Sequence, residues 1–170
     1  MVKVTIDSIR VSLMSQYRVV ILKDDTGDRY LPIWIGPPEA DAITVELQNM
    51  EYSRPLTHDL LNAVIANMGG EVRRIEIHNL EEDVFFANIM IDLNGEEIAV
   101  DARPSDSIAL AVRADVPIFV AQDVMDAASI TPDENVELSS KPPETQADDE
   151  KLSLFKDFLD SLDMDDLEDQ

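Results

Sequence analysis

Apolar and polar residues alternate through Val2, Val4 and Ile6, then resume at Ile9, Val11 and Leu13 with the opposite phase. A phase change at Asp7-Ser8 inside one alternating run predicts a long strand broken by a bulge. Residues 17–23 and 29–35 alternate on either side of Asp24-Asp25-Thr26-Gly27-Asp28, whose turn-forming composition predicts a hairpin loop. Gly36-Pro37-Pro38 ends the second arm and opens a helix over about 39–48, with Ala40, Ile43 and Leu47 on one stripe. Thr57 is expected to cap a second helix through Leu60, Leu61, Val64, Ile65 and Met68, stopped by Gly69-Gly70. Strands are predicted over about 72–79, 84–92 and 96–102, the last two joined by Asn94-Gly95, a type I′ hairpin signal. Ser105 is expected to cap a third helix over 106–114, before a short apolar strand at 116–120 and a small helix near 123–128. The predicted fold is α+β: a mostly antiparallel sheet built from hairpins, with three main helices packed on it.

A weak internal echo runs at an offset of 65 residues: Ile33, Ile35, Asp41, Ile43 and Val45 fall on Ile98, Val100, Asp106, Ile108 and Leu110. In each copy a hairpin leads into a helix with an early Asp. Either a duplication or the ordinary recurrence of hairpin-to-helix patterning accounts for it.

Beyond the third helix and its short successors the pattern changes. Residues 133–151 lack apolar periodicity and are rich in Pro and acids, which predicts a linker following a domain over 1–132. Residues 152–170 form an acidic tail in which Leu152, Phe155, Phe158, Leu159 and Leu162 recur at helical spacing. Such a short amphipathic C-terminal helix needs a surface, and its own domain, a second subunit or a partner protein would each provide one.

Composition sharpens this division. The chain carries 36 acids against 13 bases, net −23, of which residues 1–132 supply −12 and residues 133–170 supply −11. Lysine in the body is limited to Lys3 and Lys23, a pattern suited to concentrated salt and a halophilic cytoplasm. At about 1 M salt the Debye length falls to about 3 Å, so repulsion of nucleic acid would act only near contact. Non-specific electrostatic binding to nucleic acid is thus disfavoured, without excluding nucleic acid as a partner. There is no cysteine, so disulfides, thiol nucleophiles and thiolate metal sites are excluded. No apolar run is long enough for a membrane helix and no signal-peptide core is present, so a cytoplasmic protein without membrane association is expected.

Two Arg-Pro-led helix starts are the best candidates for chemistry. In Arg54-Pro55-Leu56-Thr57-His58-Asp59, a guanidinium meets the free N–H groups and positive dipole of a helix start, a natural phosphate or carboxylate site. Arg103-Pro104-Ser105-Asp106 repeats the arrangement, with Asp101 just before it. Asp101 and Asp106, joined by Glu39 from the first turn of another helix, offer oxygen ligands for Mg²⁺ or Mn²⁺. The same residues have plain structural readings: Thr57 and Ser105 as caps, Asp59 and Asp106 as dipole partners, Arg54 and Arg103 as ion-pair partners. His58 at a helix N-terminus is disfavoured as a cation, which suits a general base or a metal ligand. No Walker loop, nucleophile elbow, His-Glu-x-x-His or dinucleotide fingerprint is present.

Leu31-Pro32-Ile33-Trp34-Ile35-Gly36 with Glu39-Ala40, then Arg54 to Asp59, then Asp101 to Leu110 and Pro117-Ile118-Phe119-Val120 resemble the bifunctional nuclease family. Ser107 stands where that family's pattern often has Ala. The resemblance implies an α/β domain whose family is named for nuclease activity on DNA and RNA. On that basis the expected function is metal-assisted phosphodiester hydrolysis. His58, Asp59, Asp101 and Asp106 would be catalytic, Arg54, Arg103, Thr57 and Ser105 would contact phosphate, and Asp101, Asp106 and Glu39 would hold Mg²⁺ or Mn²⁺. The rival expectation is a non-catalytic, homo-oligomeric module binding an anion or a protein. A third reading makes both motifs Arg–Asp clamps that fix helices to the sheet.

Overall fold

The computed structural model describes residues 1–11 and 18–131. The linker and the amphipathic tail predicted over 133–170 lie outside the described residues.

Within the unit Met1–Pro132, the first alternating run forms β1 (Val2–Val11), followed by β2 (Arg18–Asp24) and β3 (Tyr30–Ile35). The ladder between β1 and β2 changes register between Ile6 and Ser8, so the bulge lies where the apolar phase flips. Helices α1 (Pro37–Leu47) and α2 (Thr57–Asn67) come next, then a second meander, β4 (Gly70–Glu81), β5 (Val84–Leu93) and β6 (Glu96–Ala102). Asn94 and Gly95 both have positive φ, as the tight β5–β6 turn requires. Helix α3 (Pro104–Ala114), strand β7 (Ile118–Val120) and helix α4 (Gln122–Ala128) complete the described chain.

These strands form one seven-stranded sheet in the order β3-β2-β1-β7-β4-β5-β6. The two meanders are the two wings, and the three-residue β7 joins them, antiparallel to β1 and parallel to β4. The meanders follow from their turns, but the insertion of β7 between them follows from burial: Ile118 and Val120 belong to the core with Val4, Val20, Ile75 and Ile77. Helix α3 is the most buried helix. Pro104, Ser105, Ser107 and the run Ile108 to Ala111 are all inaccessible, and α1 and α2 flank it.

The echo has a structural counterpart, since each meander ends in an edge strand that leads into a helix, β3 to α1 and β6 to α3. The helix starts align at an offset of 67 rather than 65, with Pro37 opposite Pro104 and Glu39 opposite Asp106. The edge strands differ in length by one residue, and each is joined to its helix by a single residue, Gly36 or Arg103.

Two expected caps are corrected. Leu56, not Thr57, is the N-cap of α2, and Thr57 is its exposed first residue. The Asp59 carboxylate accepts the Leu56 N–H at 2.7 Å and does the work assigned to a Thr57 hydroxyl. Arg103, not Ser105, is the N-cap of α3, because Pro104 takes the first helical position, where its missing N–H costs nothing. Ser105 is therefore inside the helix and buried. No helix among the described residues is long and apolar enough to cross a membrane.

Candidate functional site

The first turns of α1, α2 and α3 meet. Glu39 in α1, His58 in α2 and Asp106 in α3 are connected through Arg103. The Arg103 Nη2 donates to Glu39 Oε1 at 2.8 Å, and Nε donates to Asp106 Oδ2 at 2.7 Å. The His58 Nε2 lies 3.2 Å from the other Asp106 oxygen. Three positive helix ends and one guanidinium thus surround two carboxylates, which accounts for the acids at these positions. Gly36 contributes by its bareness: a Cβ there would overlap the Glu39 carboxylate.

Burial alone would raise the Asp106 pKa. The Arg103 hydrogen bond, then the His58 bond and both charges, outweigh it and hold the carboxyl below its ordinary value. The Arg103 guanidinium is shifted up by its bonds to Asp106 and Glu39. A carboxylate only accepts hydrogen bonds, so the hydrogen between His58 and Asp106 belongs to Nε2. His58 is 7% exposed, and its Nδ1 is buried with no hydrogen-bond partner among the described residues. Arg103 is the opposite: its side chain is 67% exposed, and its Nη1 makes no hydrogen bond among the described residues.

On the other side of the same turn, Asp59 faces Arg113, a residue not singled out in the sequence. Arg113 Nε donates to Asp59 Oδ1 at 2.5 Å, Nη1 to the Ala109 carbonyl at 2.8 Å and Nη2 to the Ala42 carbonyl at 3.0 Å. One buried guanidinium therefore links all three helices. Burial pushes the Asp59 pKa up, but the Leu56 N–H and the Arg113 bond outweigh it, so the net shift is downward. The signal for Arg113 was a lone base near the end of an apolar helix that lies in the most buried layer, which only the packing of α1 against α3 reveals.

Arg54 has no ion pair among the described residues. It lines an open groove of about 280 Å³ with Tyr52, Leu56, Asp59 and Arg113. Asp59 is thus shared between this groove and the turn that carries His58. Asp101 is exposed on the edge strand β6, opposite Asn88, with no bond to Arg103 or Asp106. Of the expected residues, Glu39, His58, Arg103 and Asp106 come together, Asp59 and Arg54 share the adjoining groove, Thr57 is outside the cluster's hydrogen bonds, and Ser105 is buried. Among the described residues no group of three His, Asp or Glu side chains gathers as a metal site. Two carboxylates, those of Glu39 and Asp106, do bond the same guanidinium, and two carboxylates completed by water and phosphate oxygens are a donor set that Mg²⁺ accepts. The Arg103 guanidinium now lies between them.

The Bifunctional nuclease domain matches residues 20–133. A Mycobacterium tuberculosis protein described only as uncharacterised is 42% identical over 165 residues, covering 96% of each chain. Bifunctional nuclease 2 of Oryza sativa subsp. japonica is 30% identical over 108 residues, 62% of this chain and 33% of that protein. Bifunctional nuclease 2 of Arabidopsis thaliana is 30% identical over 105 residues, 60% of this chain and 32% of that protein. The chain therefore spans about a third of the plant nucleases it matches.

Proposed function

This chain belongs to the bifunctional nuclease domain family, and from that premise we propose that it hydrolyses phosphodiester bonds of DNA or RNA where α1, α2 and α3 begin. The observation that carries the reading is Arg103, held by two carboxylates at 2.7 and 2.8 Å while most of its side chain faces solvent. A guanidinium fixed in this way needs little reordering to meet a phosphate, and the three helix ends favour negative charge beside it. Arg54, unpaired on the adjoining groove, would hold a neighbouring phosphate. Glu39 and Asp106 would hold a divalent cation, which supplies Lewis-acid activation of phosphate and water. Asp106, ionised at neutral pH by its lowered pKa, orients His58 rather than donating a proton. Proton transfer falls to His58. It requires the ring to present a nitrogen that is now either paired or buried.

That last point favours a second reading, in which His58 is a clamp between α2 and α3 and the domain binds an anion without cleaving it. Purified full-length protein, incubated with single-stranded and duplex DNA and RNA at several salt concentrations, separates the two. Under the nuclease reading Mg²⁺ or Mn²⁺ supports cleavage and chelator abolishes it. Arg103→Ala and Asp106→Asn then lower the rate by about 100-fold at an unchanged circular dichroism spectrum. Equal cleavage by all variants means contamination and ends the enzyme reading. Retained binding of oligonucleotide without cleavage establishes the anion-binding alternative.

A further inference from the structure

We propose that the outward face of α2 is the contact between two copies of this chain. From Leu60 to Met68, helix α2 and its cap carry an apolar stripe wider than the part that meets the core. Leu61 and Ile65 pack toward the core, while Leu60, Val64 and Met68 are 58%, 45% and 74% exposed. With Ala63 and Asn67 between them, these residues follow the i, i+3, i+4, i+7, i+8 spacing of one helix face. One N–H of the exposed Asn67 amide donates to the Ala63 carbonyl at 2.7 Å, leaving its other N–H and its oxygen for water or for a polar bond across the contact. Leu60, Val64 and Met68 continue the stripe of Leu61 and Ile65 outward, and the described residues leave that extension open.

Charge selects the occupant. Residues 60–70 contain no ionisable side chain in a chain of net charge −23. Asp59, the acid just before them, is paired with Arg113. Two copies repel each other wherever their acidic surfaces approach, and this neutral face is where they can approach without that cost. A basic partner would be drawn instead to the acidic surfaces. The sheet edges are poorer routes to self-association, because β3 carries Pro32, which has no N–H, and β6 opens with Glu96-Glu97. Ridges at i, i+4 and i+8 interdigitate with an identical ridge across a two-fold axis, with Val64 at the centre facing its own copy.

The test is sedimentation velocity of the full chain over a wide concentration range at low salt and at about 1 M salt, where screening removes residual repulsion. The expected species has twice the 19.0 kDa chain mass, and high salt strengthens it. Val64→Asp should raise the dissociation constant at least about 100-fold and leave the melting temperature unchanged at concentrations where the wild-type protein is already monomeric. Val84→Asp, at an equally exposed valine on β5, should leave association unchanged. Because the chain lacks cysteine, Val64→Cys gives a second measure: mild oxidation should cross-link it into a dimer, and Val84→Cys should not. A wild-type monomer at every concentration, a dimer indifferent to Val64→Asp, or cross-linking at residue 84 and not at 64 would each overturn the proposal. So would a monomer that Val64→Asp destabilises, which would mean that the chain's own residues cover the face. None of these results depends on nuclease activity.

Discussion

Arg103 and Arg113 stand at opposite ends of α3, and each meets a carboxylate from the first turn of a helix. Arg113 has a side chain only 4% exposed and divides its donors among Asp59 and two backbone carbonyls. Arg103 is 67% exposed and divides its donors among two carboxylates, leaving one nitrogen without a partner. The same side chain therefore does different work. Where every nitrogen donates and water is excluded, the guanidinium joins helices; where it is fixed but open, it can receive an anion.

Removing the buried member tests this contrast most severely. Arg113→Ala leaves Asp59 half-buried without its cation and removes the side-chain bond that ties α3 to the Ala42 carbonyl of α1, and should cost about 3 kcal/mol in urea unfolding. The loss should also depend on pH. The pKa values of Asp59 and Asp106 are depressed in the fold, so the unfolded chain takes up protons first as pH falls. The stability they contribute is complete above about pH 4 and is lost below it as pH passes through the folded values. Arg113→Ala should erase much of the Asp59 share, which a pH series of melting curves would reveal as a shallower acid limb. An unchanged acid limb would mean that Asp59 draws its low pKa from the Leu56 N–H alone.

A change midway along α3 is expected to act in the opposite direction. Ser107 is fully buried and its hydroxyl has no partner among the described residues. Ser107→Ala should therefore stabilise the protein by about 1 kcal/mol, since an unsatisfied buried hydroxyl is a cost. A loss instead would show that the hydroxyl has a partner in solution. The smallest effect belongs to the exposed arginine. Arg103→Ala should change stability by less than about 1 kcal/mol, as exposed ion pairs usually do, while weakening phosphate binding. A loss comparable to that of Arg113→Ala would erase the contrast and make both residues clamps.

Much of the fold was legible along the chain because its elements are defined locally. Both meanders follow from alternation and turn residues, the bulge follows from a phase change, and Gly69, with φ of 85°, ends α2 as expected. Capping was misjudged because two local rules competed: Pro104 claimed the first helical position, and Asp59 reached back to Leu56. Side-chain meetings were only partly legible. Glu39, His58, Arg103 and Asp106 were named singly from helix-start chemistry, and three of the four come from segments far apart in sequence. Asp101 illustrates the limit: it lies two residues before Arg103 along the chain, but β6 ends at Ala102 and Arg103 belongs to the start of α3, so nearness in sequence does not become a bond. Arg113 was invisible because its partners, Asp59 and the Ala42 carbonyl, are contributed by two other helices.

The placement of β7 has a consequence for assembly in time. Its three residues lie between wings formed by residues 2–35 and 70–102, so each wing can pair its own strands through short hairpins while the sheet is still in two pieces. Continuity comes only when Ile118–Val120 pairs with Val2–Val4, closing more than a hundred residues of chain. Such distant closure is slow relative to hairpin formation. During synthesis, the core can be sealed only after the last described strand has left the ribosome, and until then the inner edges of β1 and β4 are open to pairing with other chains.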